Sequence, residues 1–222
     1  RGKRVSKVLV TKPKIIRGSV TRFEKQLRGA FFGQPRRHGK LLILPSADDD
    51  FFVLIHLKMT GQLIYRDGRR MIAGGHQWPP VILAELPSKY THVQISFEDG
   101  SELFFNDLRQ FGFMELAKPK KMQAIVDAMG TDPITQDLSW EYFWGVVQRR
   151  TVAIKALLLD QGVIAGIGNI YAYEICFRAH VLPQRSARSL SKQEARRIFT
   201  SILKVLERAI RYGGTTFRNY VD

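Results

Sequence analysis

The feature that most constrains the fold of this chain is a change in the spacing of its apolar residues near residue 117. Before that point, apolar and polar residues alternate over 93–98, and the alternation resumes at 103–105 after Asp99-Gly100. A period of two interrupted by Asp-Gly predicts an antiparallel β-hairpin. Two short apolar runs, 40–44 and 51–57, predict further strands.

Beyond residue 117 the spacing becomes helical. Ser191 and Glu194 form a capping box ahead of the last helix, and Gly213-Gly214 is expected to end it. Between these signals, apolar residues recur along one predicted helical face: Ile198, Phe199, Ile202, Leu203, Leu206 and Ile210. We therefore predict an α+β protein of two domains, with residues 1–117 forming an antiparallel β-sandwich and residues 118–222 an α-helical domain.

The chain is strongly basic, with 35 Lys and Arg against 20 Asp and Glu and a formal net charge of +15. Residues 1–40 alone contain thirteen Lys or Arg and a single acid, Glu24. Because each neutralised phosphate releases condensed counterions, such clustering indicates a nucleic-acid partner. It argues against the alternative, a basic protein with dispersed charge.

A glycine turn in the helical half could hold a phosphate. Gly166 and Gly168 flank Ile167, and the helix-like run 169–178 follows. Glycines let backbone N–H groups approach an anion closely, and the positive end of the helix would point at the same anion.

Cysteine content and hydropathy exclude several classes. Cys176 is the only cysteine, so no intrachain disulfide can form and no cysteine-based metal site is expected. A reducing, intracellular setting is expected, and we interpret Cys176 as core filler. No stretch approaches the roughly 18 apolar residues of a membrane span, so no membrane partner is predicted.

Several motifs occur together in one order along the chain. The β half contains HLKMTG at 56–61 and DLRQFG at 107–112. The helical half contains TVAIK at 151–155, the glycine turn, and GGTTF at 213–217. Together they resemble the formamidopyrimidine-DNA glycosylase family, whose helical half is a helix–two-turn–helix module and whose lesion-covering loop begins at the GGTTF position.

The resemblance implies a DNA-repair function. Family members excise oxidised purines such as 8-oxoguanine and formamidopyrimidines, and they cleave the resulting abasic strand by β- and δ-elimination. The implied partner is double-stranded DNA that contains an oxidised base or an abasic site. The resemblance also implies a monomer in the bacterial cytoplasm, associated with the nucleoid.

Three residues of the β half are candidates for filling the gap that an everted nucleotide leaves. Met59 is flexible and polarizable, and Phe111 is a flat apolar wedge. Arg109 carries a planar set of donors for the orphaned base, which the resemblance suggests is cytosine. The alternative is that Met59 and Phe111 are ordinary core residues and Arg109 a surface charge.

The resemblance assigns phosphate contacts in the helical half to Lys155 and Asn169, with Arg150 as a further backbone contact. Asn169 could also cap its helix, since Asn is a favoured N-cap residue, and the two roles are compatible. Lys155 taken alone could be a solvated charge. Glu174 is expected to orient the two-turn loop.

Two residues of the β half have assignments with open alternatives. Lys40 follows the basic run 36–39 and matches a family lysine implicated in proton donation during strand cleavage; the alternative is a phosphate-binding basic cluster. His92 matches the second of two histidines at a family DNA contact. Tyr90 stands where the first is expected, which weakens that assignment.

Two parts of the family pattern do not occur in these residues. Family members begin with Pro-Glu, and the proline amine attacks the sugar C1′; here the first residue is Arg1, and an internal proline has no free amine. The family's four-cysteine zinc finger would lie beyond Asp222, so no metal and no cofactor is expected. We expect a fragment of a complete enzyme; the alternative is a relic that binds DNA without catalysis.

Two rival functions remain. One is an oxidised-pyrimidine glycosylase of the same fold, against which the Met59, Arg109 and Phe111 combination argues. The other is a non-catalytic DNA-binding module, which would need neither the 56–61 motif nor the 213–217 motif.

The missing terminal proline leads to a direct prediction. As it stands, the chain should lack β-elimination activity, because its first residue is not a proline with a free secondary amine. It should also bind DNA more weakly than a complete enzyme. Borohydride reduction in the presence of an abasic duplex should give no covalent adduct on a denaturing gel. A cross-linked species would contradict this expectation.

Overall fold

A computed structural model of the chain describes residues 2–75, 85–136 and 138–214. The chain divides into two compact units, Arg1–Ala124 and Ile125–Asp222. The predicted boundary after residue 117 lies seven residues before this division, which falls within helix α2 (Pro119–Asp127).

The described part of the first unit consists mainly of ten strands. These are β1 (Val5–Val10), β2 (Ile16–Arg17), β3 (Arg36–His38), β4 (Leu41–Pro45), β5 (Phe52–His56), β6 (Gly61–Asp67), β7 (Arg70–Gly75), β8 (Thr91–Phe97), β9 (Glu102–Asp107) and β10 (Phe113–Ala117). They form two five-stranded sheets, with the orders β1-β8-β9-β6-β7 and β2-β10-β5-β4-β3. The predicted Asp99-Gly100 hairpin is confirmed, since β8 pairs antiparallel with β9.

The two sheets share one buried core, as a β-sandwich requires. Val8, Ile95 and Phe105 come from the first sheet, and Val53 and Ile55 from the second. The predicted α+β fold with an N-terminal sandwich is confirmed. One pairing departs from the antiparallel prediction: the short strand β2 runs parallel to β10.

One helix in the first unit was not predicted. Helix α1 (Val20–Leu27) begins after Ser19, whose side chain accepts a hydrogen bond from the backbone N–H of Arg22. Phe23 and Leu27 are fully buried in the sandwich core. The signal was present as an N-cap serine ahead of apolar residues with helical spacing, but the basic composition of this region obscured it.

The second unit is helical. Its helices are α3 (Trp140–Arg149), α4 (Ile154–Leu159), α5 (Asn169–Arg178) and α6 (Lys192–Arg211). Cys176 is buried in their shared core, and burial raises the pKa of its thiol to about 11, in agreement with its interpretation as core filler. None of the described helices is long and apolar enough to cross a membrane.

Helix α6 has the predicted capping box at both Ser191 and Glu194. It ends at Arg211, and Gly213 and Gly214 follow with positive φ values of 73° and 96°. The buried face is narrower than predicted, because Leu203 and Ile210 are exposed at its margin. Of the predicted 213–217 motif, residues 215–217 lie outside the described part of the chain.

Candidate nucleic-acid interface

The three predicted gap-filling residues lie together on the surface of the first unit. Met59 is 62% exposed in the connection between β5 and β6, and Phe111 is 54% exposed in the connection between β9 and β10. Arg109 contacts both: its Nη1 lies 3.1 Å from Met59 Sδ, and its guanidinium carbon lies 4.7 Å from the Phe111 ring centroid. We call Met59, Arg109 and Phe111 the wedge cluster. The alternative that Met59 and Phe111 are core residues is wrong, since both are exposed.

A buried carboxylate joins the two loops that carry the wedge cluster. Asp107, the last residue of β9, is fully buried. Its Oδ1 accepts a hydrogen bond from the Thr60 hydroxyl, and its Oδ2 accepts one from the Gly112 backbone N–H at 2.7 Å. The Arg109 N–H donates to Thr60 Oγ1 at 3.0 Å and is 3.3 Å from Asp107 Oδ1. Neither Asp107 nor Thr60 was predicted from the sequence to have a role.

Two glycines in the motifs are required by close approach of the backbone. A Cβ on Gly112 would lie 2.7 Å from the Phe105 ring and 3.0 Å from Asp107 Oδ2. A Cβ on Gly61 would lie 2.3 Å from the Leu57 carbonyl oxygen. A side chain at either position would therefore displace the loop that it belongs to.

The structure does not support the predicted DNA contact of His92. Its side chain is only 1% exposed, and its Nε2 lies 2.7 Å from the Asp107 carbonyl oxygen. Because a carbonyl can only accept, Nε2 carries the proton and donates. Burial lowers the pKa of His92, so the neutral ring is favoured. His92 thus holds the backbone of Asp107 from within the first unit.

Lys40 lies in the tight turn between β3 and β4, close to other cationic side chains. Partial removal of water from its ammonium group lowers the pKa of Lys40, and the positive charge of Lys58 lowers it further. The next residue, Leu41, pairs with His56 across β4 and β5. The structure therefore places Lys40 beside the segment that leads into the Met59 loop.

His56 is neutral within this cationic group. Burial lowers the pKa of His56 to about 4, and the charges of Lys58, Lys40 and Arg17 add to the shift. The His56 ring stacks on the Phe113 ring at a centroid distance of 5.7 Å. The guanidinium carbon of Arg17 lies 3.3 Å from the centroid of the Phe113 ring. The Nδ1 of His56 accepts the Lys58 backbone N–H at 3.0 Å, which assigns the remaining proton to Nε2. Sequence reasoning gave His56 no role of its own.

In the second unit, the predicted glycine turn leads directly into helix α5. The N-cap residue is Gly168, with no side-chain cap, and Asn169 is the first helical residue. Asn169 therefore does not cap the helix, and its exposed side chain stands beside the first backbone N–H groups of α5. This is the arrangement in which a helix end binds an anion.

The side chain of Gln161, for which no role was predicted, holds the glycine turn in place. Its Nε2 donates to the carbonyls of Leu159 and Ile167, and its Oε1 accepts the Gly166 N–H at 3.0 Å. Glu174 was expected to orient this loop. Among the described residues it forms no hydrogen bond or ion pair with the loop, so Gln161 replaces it in that role.

The other two predicted phosphate contacts are close to each other in the chain: Lys155 is in α4, and Arg150 precedes this helix. The Lys155 Nζ lies 3.7 Å from the ring centroid of Tyr173 on α5, the helix that begins at Asn169. Lys155 and Asn169 therefore come from elements that contact each other. Arg150 is exposed and pairs with Asp160 at 3.7 Å, a surface pair that a phosphate could replace.

A β-sandwich unit followed by a helical unit is the architecture of the helix–two-turn–helix DNA glycosylases. Residues 1–114 match the model of the formamidopyrimidine-DNA glycosylase N-terminal domain, and residues 129–221 match that of the formamidopyrimidine-DNA glycosylase H2TH domain. The chain belongs to the formamidopyrimidine-DNA glycosylase family, whose members are enzymes of base-excision DNA repair.

Individual relatives agree with this assignment. The formamidopyrimidine-DNA glycosylase of Desulforamulus reducens is 37% identical over 98% of this chain and 74% of its own length. That of Listeria monocytogenes is 36% identical over 100% of this chain and 76% of its own. The Lactococcus lactis Fpg, solved in complex with DNA containing an abasic site, superposes with a TM-score of 0.83 at 26% identity, covering 99% of this chain and 75% of that one.

The depressed pKa of His56 predicts a loss of stability in mild acid. The folded-state pKa of about 4 lies below the ordinary value of 6.5, so between these values the unfolded chain binds more protons than the folded one. Stability should therefore fall as the pH drops from about 6.5 towards 4, by up to about 3 kcal/mol from this group. Urea unfolding at about pH 7 and about pH 4.5 measures the loss.

The matched variant is His56→Asn, which keeps an acceptor for the Lys58 N–H but cannot titrate. It should lose less stability between the two pH values than the wild type. His180→Asn is the control, because His180 is exposed in the second unit and Asn tolerates its φ of 52°. Equal losses in wild type and His56→Asn would show that His56 does not contribute.

Proposed function

We propose that the protein to which these residues belong excises oxidised purines from duplex DNA and cleaves the resulting abasic strand. The observation that carries the proposal is the wedge cluster, in which Met59, Arg109 and Phe111 are exposed and in mutual contact. Exposed apolar side chains that cluster at one place on a surface are typical of an interaction site. Support also comes from the Lactococcus lactis Fpg, which has been solved with DNA containing an abasic site and with DNA containing Fapy-dG.

The wedge cluster has the chemistry to fill a gap in the base stack. Phe111 provides a flat face for stacking, which is typically worth about 1–3 kcal/mol per base. Met59 adapts to the remaining space. Arg109, held against both, presents its guanidinium N–H groups to the orphaned base, which we propose is cytosine.

In the second unit, we assign phosphate binding to the start of α5. The uncapped N–H groups after Gly168 and the side chain of Asn169 supply neutral donors. Lys155, next to α5 through Tyr173, supplies a full positive charge. Arg150 adds a second charge when it leaves Asp160. We propose that the protein binds DNA in this way as a monomer.

Lys40 is the candidate for proton transfer during strand cleavage. A lowered pKa makes its ammonium group a better proton donor than an ordinary lysine. The same neighbourhood of Lys40, Lys58 and Arg17 also attracts phosphate, so the two roles proposed for Lys40 are compatible.

The wedge assignment is tested by truncating Phe111. Phe111→Ala should weaken binding to a duplex with a tetrahydrofuran abasic analogue opposite cytosine by about 1–3 kcal/mol, because the stacking face is lost. Binding to an undamaged duplex should change little. Fluorescence anisotropy at constant salt measures both, and the wild type should prefer duplexes with 8-oxoguanine over those with thymine glycol.

Phe31→Ala is the matched control. Phe31 is also an exposed phenylalanine of the first unit. Its carbonyl accepts a hydrogen bond from the Ala47 N–H, just after Pro45, and Pro45 is at the opposite end of β4 from the residue that pairs with His56. It should leave lesion binding unchanged. Equal binding of damaged and undamaged duplexes by the wild type would overturn the proposed function and favour a non-specific DNA-binding module.

Lys155 and Asn169 should differ in how they affect the salt dependence of DNA binding. Lys155→Ala should reduce the slope of log K against log salt concentration by about 1, since one fewer counterion is released. Asn169→Ala should weaken binding with no change in slope, because its amide is uncharged. An unchanged slope for Lys155→Ala would show that Lys155 contacts no phosphate.

A further inference from the structure

We propose that Asp107 and Thr60 act as a positioning pair, which fixes the Met59 loop and the Arg109–Phe111 loop relative to each other before DNA is bound. The inference rests on the proposed function of the wedge cluster. The pair takes no part in the chemical reaction and only positions the residues that would enter the duplex.

One carboxylate serves both loops. Oδ1 of Asp107 accepts from Thr60, which belongs to the Met59 loop, while Oδ2 accepts from Gly112, which ends the Phe111 loop. The Thr60 hydroxyl then accepts from the Arg109 N–H at 3.0 Å. Thr60 of the Met59 loop is therefore hydrogen-bonded to both Asp107 and Arg109, and Asp107 is also hydrogen-bonded to Gly112 at the end of the Phe111 loop.

Burial makes this carboxylate depend on its hydrogen-bond donors. Asp107 is fully buried, and a buried carboxylate is tolerated only when hydrogen-bond donors surround it. Its donors are the Thr60 hydroxyl and the backbone N–H groups of Arg109 and Gly112. Movement of either loop would remove a donor from this carboxylate, so the loops are coupled energetically as well as geometrically.

The backbone of Asp107 is itself held in place. Its N–H donates to the Tyr90 carbonyl at 3.0 Å, and its carbonyl accepts from His92 Nε2 at 2.7 Å. The pair therefore connects the exposed wedge cluster to the end of the sheet formed by β8 and β9. Gly112 completes the fit, since a Cβ there would press on Asp107 Oδ2.

Such positioning matters because the wedge residues are exposed and attached to loops. A loop that must be ordered on binding loses part of its binding free energy to conformational entropy, and a displacement of about 1 Å in a functional group can cost about a hundredfold in rate. A pre-formed hydrogen-bonded pair reduces that loss. Its removal should weaken lesion binding without removing any group that touches DNA.

The first measurement uses the free chain. Amide hydrogen exchange by NMR should show Arg109 and Gly112 protected in the wild type. Asp107→Asn should raise both exchange rates by roughly tenfold or more, since each N–H loses a charged acceptor. Thr60→Val should raise the rate of Arg109 and leave Gly112 nearly unchanged, while Thr60→Ser, which restores the hydroxyl, should return the rate of Arg109 towards that of the wild type.

The second measurement uses DNA. Asp107→Asn and Thr60→Val should each weaken binding to the tetrahydrofuran duplex by about tenfold, with a change of less than about twofold for undamaged DNA. Asp67→Asn, at an exposed carboxylate that ends β6, is the control and should leave both affinities and the exchange rates unchanged. If Asp107→Asn does not fold, the comparison of Thr60→Val with Thr60→Ser decides the matter.

Unchanged exchange at Arg109 in Thr60→Val overturns the positioning pair, whatever the DNA results. Increased exchange with normal lesion affinity, while Phe111→Ala weakens lesion binding, also overturns it and leaves the proposed function intact. If the wild type shows no lesion preference, the proposed function fails, and the exchange rates alone decide whether the pair holds the loops.

Discussion

The buried carboxylate of Asp107 stands where a strand of the sandwich becomes the exposed surface that we assign to DNA. Two of its donors are backbone N–H groups and the third is a hydroxyl, so both loops must approach it closely to satisfy it. Gly112 permits that approach, and His92 holds the carbonyl of the same residue. The exposed arrangement of Met59, Arg109 and Phe111 follows from this interior geometry. The wedge surface is therefore as much a product of the sandwich core as of its own residues.

Electrostatics in the same unit favour a neutral ring among positive charges. Lys40, Lys58 and Arg17 all disfavour the protonated form of His56, whose Nδ1 is already occupied by the Lys58 N–H. The segment before Met59 is thus held by a neutral hydrogen bond and not by an ion pair. The neutral ring adds no further positive charge to this group of cations.

Sequence reasoning recovered the features that repeat or that lie next to each other along the chain. The Asp99-Gly100 hairpin, the capping box of α6 and the order of a β unit before a helical unit depend on local spacing, and the structure confirms them. Asp107 and Thr60 are 47 positions apart, and their contact depends on the pairing of β6 with β9. No local pattern contains that information. The burial of His92 could not be predicted for a related reason, since it lies where the pairing register of β8 with β9 shifts between Thr91 and Val93.

The bare start of helix α5 has a thermodynamic consequence. With glycine at the N-cap, no side chain bonds the first backbone N–H groups, and the first turn forgoes the roughly 0.3 kcal/mol by which a Ser, Asp or Asn cap exceeds glycine. A polyanion seated at that point would act as the missing cap. Association and local order of the helical unit would then be linked, so that the melting temperature of this unit rises with ligand concentration. The unliganded protein is therefore slightly less stable, and the backbone N–H groups at the start of α5 have no side-chain acceptor from the N-cap residue.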